Sequence, residues 1–179
     1  MNFETKNILA DTFCKLMETK SFKKITVEDI TNSYGACRQT FYNHFKDKYD
    51  LINWIYLNDH RQALASLETG NTWRESLYLS YLVFWKHKQF YKSVSMEDGQ
   101  NNFIDFLWGF CNLFYEQSIV KRYGSEEITD ELRFSIHFNN YGAVNMFKMW
   151  LEDGLKNTPE EMANLLVDNM PMNLKKYFD

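Results

Sequence analysis

Within seven residues, Arg38-Gln39-Thr40-Phe41-Tyr42-Asn43-His44 sets a guanidinium, two carboxamides, two hydroxyls and an imidazole around one apolar ring. In a helix, Phe41 and Phe45 lie four apart on one side and anchor it, leaving Arg38, Gln39, Thr40, Asn43 and His44 on the other. Such groups read base pairs: arginine pairs with guanine, glutamine or asparagine with adenine, and a threonine methyl touches that of thymine. Lys46 and Lys48 follow at the end of that helix and the start of the next, where cations would meet phosphates.

Other chemistry finds little footing. His44, His60, His87 and His137 lack the short helical spacing of a metal-ligand cluster, so neither metal nor cofactor is expected. Cys14, Cys37 and Cys111 are odd in number, widely spaced and have no base beside them in sequence. Cys111, inside an apolar stretch, reads as a small hydrophobe. Glu126-Glu127 and Glu160-Glu161 are acids at helix starts, which the helix dipole explains without catalysis. There is no Walker loop, nucleophile elbow or dinucleotide fingerprint. No catalytic residue is expected, and the chain does not read as an enzyme.

Composition neither proves nor forbids nucleic-acid binding. The 179 residues are 45% hydrophobic and 17% aromatic, ample for a packed core. The net charge is −4, but residues 1–50 carry eight cationic and seven acidic side chains, a local balance of +1. An acidic protein can bind nucleic acid when its cations share one face. No run of 18 uncharged apolar residues is present, so no membrane span is expected. The start Met1-Asn2-Phe3-Glu4-Thr5-Lys6 does not resemble a secretory signal, and the cysteine usage fits a reducing cytoplasm.

The elements that must position these groups read as helices. Seven glycines and two prolines leave few breaks, and the apolar spacing predicts an all-α chain of about nine helices. Leu9, Phe13, Leu16 and Met17 mark the first. Thr26 with Asp29 predicts a capping box opening the second, which Gly35 ends. A short third helix over about 37–44 carries the polar groups, and Asp47 could cap a longer fourth in which Leu51, Ile52, Ile55, Ala63 and Leu67 face inward. Further helices are expected from Trp73 to His87, from Phe103 to Tyr115, from Asp130 to Glu152 and from Pro159. The stretch from Phe103 is apolar nearly all round, which demands protein on every side. Residues 1–48 thus read as a three-helix, helix-turn-helix module, and 49–179 as a helical body.

The run Thr40-Phe41-Tyr42-Asn43-His44-Phe45-Lys46-Asp47-Lys48-Tyr49-Asp50-Leu51, after Ile25-Thr26-Val27-Glu28-Asp29-Ile30 and Gly35, resembles the TetR family of bacterial regulators. Arg38-Gln39-Thr40-Phe41-Tyr42-Asn43 looks most like the subgroup related to the dihydroxyacetone-kinase regulator. The resemblance is sharp over about residues 8–56 and implies a homodimer on a near-palindromic operator in double-stranded DNA. Repression is the family's usual mode, and the body would sense a small-molecule effector or a partner protein. By position, Thr26, Tyr42, His44 and Lys48 would hold phosphates, while Arg38, Gln39 and Thr40 would approach bases. The turn departs from the common Ala-Gly-Val-Ser: Cys37 replaces a serine N-cap, so the reading helix starts less firmly.

In the body, Tyr81, Phe84, Trp85, Trp108, Cys111 and Tyr115 are candidates for the wall of an effector pocket, with a filled core as the alternative. The helix over 130–152 shows two apolar faces, Phe134, Phe138 and Tyr141 on one and Ile136, Ala143, Phe147 and Trp150 on the other. One face would pack on the body and the other on a second subunit. With Leu165, Leu166 and Met170 of the last helix these residues would build a four-helix dimer interface, an expectation that leans on the resemblance.

Overall fold

A computed structural model describes residues 2–178. It contains eleven α-helices and, among the described residues, no strand. They are α1 (Asn2–Met17), α2 (Val27–Tyr34), α3 (Arg38–Tyr42), α4 (Lys48–Asp59), α5 (Arg61–Ser66), α6 (Trp73–Lys86), α7 (Lys88–Ser95), α8 (Phe103–Tyr123), α9 (Asp130–Glu152), α10 (Pro159–Asp168) and α11 (Met172–Lys175). The chain divides into two compact units, Met1–Asp59 with Gln89–Phe103, and His60–Lys88 with Ile104–Asp179.

The first unit is built on α1, against which α2 and α4 pack, while α3 packs on α2. Leu9 and Phe13 of α1, Ile30 of α2, Phe41 of α3 and Leu51 and Ile52 of α4 are fully buried, with Phe22 and Ile25 from the connecting turn. The unit also takes in most of α7, which the sequence reading had not singled out; its Tyr91 hydroxyl donates to Asp59 Oδ2 at 3.0 Å. The expected long fourth helix is broken: α4 stops at Asp59 and a separate α5 starts at Arg61. Ala63 still faces inward, within the second unit.

In the second unit α6 packs on α5 and α10, and α11 on α9. Arg74 of α6 donates to Asn164 Oδ1 at 2.6 Å and to Asp168 Oδ1 at 2.7 Å on α10. One core gathers Trp73, Tyr115, Ile119, Leu132, Ile136, Val167 and Leu174. Another joins Tyr81, Phe84, Phe147 and Trp150, with the Phe84 and Phe147 rings 4.2 Å apart. The apolar α8 is not enclosed on every side as expected, since Leu113 and Val120 are exposed. Its interior is not wholly apolar either: buried Asn140 of α9 donates to buried Asn112 of α8 at 3.0 Å.

Candidate nucleic-acid interface

The turn between α2 and α3 is set by hydrogen bonds. Thr26 caps α2: its hydroxyl accepts from the Asp29 amide at 3.1 Å, and the Asp29 carboxylate accepts from the Thr26 amide at 2.9 Å. The Lys20 ammonium, 2.7 Å away, with those Thr26 bonds, holds the Asp29 carboxyl at about 2, below its usual range. At the other end Gly35 adopts φ 73°, and the Gly35 and Ala36 amides donate to Asn32 and Thr31 carbonyls. That is a Schellman ending, which a left-handed residue makes possible. The chain then leaves α2 sharply enough for α3 to start at Arg38.

α3 starts without a side-chain cap, as the cysteine at its head implies. Cys37 Sγ lies 3.5 Å from Thr40 Oγ1. That contact lowers the thiol's pKa. What holds α3 is its inner face. Phe41 and Phe45 are buried with centroids 5.7 Å apart, and Phe45 meets Trp54 of α4 at 5.9 Å.

The outer face displays most of the expected groups. Arg38, Gln39, Tyr42, Asn43 and Lys46 are exposed, and Thr40 is half-buried. Two of them are coupled, since Gln39 Nε2 donates to Asn43 Oδ1 at 2.9 Å. The Tyr42 hydroxyl, one turn on, raises the Arg38 pKa. His44 is half-buried, and its Nδ1 is shut from solvent with no hydrogen-bond partner. Lys48 makes contacts that its position in the sequence did not suggest. Its ammonium donates to the carbonyls of Phe22 at 2.8 Å and Ile25 at 3.1 Å and lies 4.0 Å from the Phe22 ring centroid. Sequence reasoning missed this bond, which spans more than twenty residues and has no local signal. Lys23 and Lys24, in the turn before Thr26, are exposed cations it did not weigh; Lys23 pairs with Glu97 at 3.5 Å.

In the second unit the pocket candidates separate. Tyr81, Phe84 and Tyr115 are buried in ring-on-ring packing, and desolvation raises both tyrosine pKa values. Burial pushes the Cys111 thiol up to about 12. Trp85 is exposed, with Lys88 over its ring at 5.7 Å. Trp108 meets His137, and its Nε1 is buried with no partner. Among the described residues no group of His, Cys, Asp or Glu is placed to hold a metal ion, and no helix is long and apolar enough to cross a membrane.

The interface candidates divide cleanly. Phe134, Phe138 and Tyr141 are exposed, Leu165 is half exposed and Leu166 half-buried, whereas Phe147, Trp150 and Met170 are buried within their own unit. Between α9 and α10 runs a groove of about 410 Å³, lined by Met146, Met149, Trp150, Met162, Leu165 and Leu166 and rimmed by Asp153, Lys156, Asn157 and Asn169.

Three comparisons bear on this arrangement. Residues 71–171 match the family model described as the transcriptional regulator C-terminal region of the TetR type. The HTH-type dhaKLM operon transcriptional activator DhaS of Lactococcus lactis subsp. lactis (strain IL1403) is 30% identical over 103 residues, 58% of this chain. That match spans about half, 54%, of the relative's length. A solved structure, the dihydroxyacetone kinase operon activator DhaS, shares the fold with a TM-score of 0.66 at 23% identity, over 98% of each chain.

Proposed function

Because the chain belongs to the TetR family of transcriptional regulators, we propose that it binds operator DNA through residues 1–48 and is regulated and dimerised through residues 49–179. The observation that carries this reading is α3 with the turn after it, where Phe41 and Phe45 are buried while Arg38, Gln39, Tyr42, Asn43 and Lys46 are exposed. Arg38, Gln39 and Thr40 approach bases; Tyr42, Lys46 and the Thr26 end of α2 approach phosphates. Two copies place their α3 helices in successive major grooves, ~34 Å apart on an inverted repeat. A ligand or partner on the body shifts operator affinity by its preference between two states of the dimer, typically ~1–3 kcal/mol.

Repression is the family's usual mode. The likeness to a protein named a transcriptional activator favours activation as the second reading. Exposed Phe134, Phe138 and Tyr141 support the dimer, since an aromatic stripe of this kind marks a surface that is covered in use.

The test is selection from random duplex DNA at fixed salt, with Tyr42→Ala alongside. An enriched inverted repeat that disappears in the variant is expected. A folded protein that enriches nothing, with or without cell metabolites, refutes the DNA-reading assignment.

A further inference from the structure

The connection between α7 and α8 belongs to the same compact unit as α2 and α3, although residues 60–88 of the second unit intervene in the chain. Glu97 lies in that connection. Its amide donates to the Val94 carbonyl at 3.4 Å, against the last turn of α7, where Tyr91, Val94 and Ser95 are buried. The carboxylate is therefore carried by a packed helix end rather than by a loose loop. It is sheltered, 15% exposed, and it faces the turn ahead of α2, where Glu97 Oε2 lies 3.5 Å from the Lys23 ammonium.

This pairing differs from its neighbours. Lys48 feels the same negative charge, which opposes the lowering of its pKa by burial, but its ammonium is already bonded to two carbonyls. Asp29 is built into the α2 cap, with Lys20 at 2.7 Å and the Thr26 amide and hydroxyl at 2.9 Å. Lys23 has no such commitment. Its side chain is 75% exposed, and 3.5 Å is well beyond the ~2.7–2.9 Å of a charge-assisted hydrogen bond. Lys23 also stands three residues before Thr26, at the end of α2 read above as approaching phosphate.

We propose that Glu97 is an internal stand-in for a DNA phosphate, occupying the Lys23 ammonium in the free protein and surrendering it to the duplex. A loose, exposed ion pair is weak, whereas a phosphate contact is driven by the release of counterions. The exchange leaves the sheltered carboxylate unpaired beside the DNA backbone, so Glu97 lowers affinity for every duplex alike. It sets strength and leaves base preference to α3. Since the carboxylate rides on the end of α7, withdrawing that end lifts the penalty and tightens binding.

This inference rests on the DNA reading proposed above and adds a residue that tunes it. Non-specific binding comes almost wholly from phosphate contacts, so the probe is a random-sequence duplex titrated between about 50 and 200 mM salt. The proteins are the full chain, Glu97→Gln, Lys23→Met and the double variant, each checked for native circular dichroism. Glu97→Gln is expected to bind roughly two- to fivefold tighter per subunit. Its slope of log affinity against log salt should steepen by about 0.9 per subunit. Lys23→Met alone should change little, and in the double variant both gains should vanish. A gain that survives in the double variant would show long-range repulsion by Glu97 instead of exchange at Lys23. A Glu97→Gln protein that binds no tighter would show that the carboxylate merely orients the lysine. Either result overturns the proposal and leaves DNA reading standing. If neither the unsubstituted protein nor Glu97→Gln retains duplex at the lowest salt, the DNA reading falls as well.

Discussion

Replacing Lys48 with methionine separates two roles that its position in the sequence cannot distinguish. Methionine keeps an unbranched stem of similar length over the Phe22 ring and removes only the ammonium. What is lost is the pair of hydrogen bonds to the Phe22 and Ile25 carbonyls, at 2.8 and 3.1 Å, and the cation over the ring at 4.0 Å. Bonds from a charged donor are worth ~1.5–3 kcal/mol each when sheltered, and an exposed cation–π contact ~0.5–1 kcal/mol. Two offsets apply. Burial lowers the Lys48 pKa, so holding the charge there is costly. The site is also only half-buried, so water reaches the released carbonyls. The net destabilisation is then about 1.5–2.5 kcal/mol, well below the sum of the bonds. Urea unfolding checks it, as a lower midpoint at unchanged m-value. Operator binding measured against salt should keep its slope. A loss under about 0.5 kcal/mol, together with a slope reduced by about one unit per subunit, would show that the ammonium serves phosphate and that the carbonyl bonds are incidental.

Asp29 gives a pH dependence with a definite sign. Its folded value of about 2 lies below the ordinary 3.8, so the stability it contributes is complete above about pH 4 and is lost as pH falls towards 2; Asp29→Asn should flatten that part of the acid limb, and an unchanged limb in a thermal-melt series would count against the capping role. Gln39 and Asn43 should act as a unit because their carboxamides are bonded to each other. Gln39→Ala is expected to cost ~1–3 kcal/mol per half-site and relax base preference there. Asn43→Ala should lose much of the same preference, and fully additive effects in the double variant would show two independent readers.

Much of this fold was written in local patterns. Thr26 with Asp29 announces a capping box because both partners of the reciprocal bond lie within one turn, and the box forms; Thr158 with Glu161 forms another at the head of α10, where only first-turn acids had been read. Asp47 likewise accepts from the Tyr49 and Asp50 amides at the head of α4. Thr72 and Glu75 obey the same rule and form a third box at the start of α6, a helix expected from its apolar spacing alone. The failures are long-range. Leu51, Ile55, Ala63 and Leu67 keep helical spacing across the polar run Asn58-Asp59-His60-Arg61-Gln62, yet α4 stops at Asp59, whose carboxylate meets Tyr91 of α7. His60 is buried with its ring 4.4 Å from Phe84. The two faces of α9 were visible in the spacing, but only packing shows that Phe147 and Trp150 are spent on the core while Phe134 and Phe138 are not.

The weakness of α3 as a helix bears on what orients its polar face. Five residues with no side-chain cap are too short to hold a direction by their own hydrogen bonds, since a helix of that length is not stable alone. Its orientation is therefore borrowed from what Phe41 and Phe45 pack against. The Phe45 ring meets Trp54, in the second turn of α4, and the Lys6 ammonium of α1 lies 5.1 Å from the same ring. α4 in turn is tied at its first residue, Lys48, to the carbonyls that precede the Thr26 cap of α2. A displacement of α4 cannot be absorbed within α3; it must move the whole reading helix or break the aromatic contact. Close-packed contacts favour discrete rearrangement over gradual deformation. The bond that ties α4 and the ring that meets α3's neighbour thus set the orientation of the polar face from α4, outside that face itself.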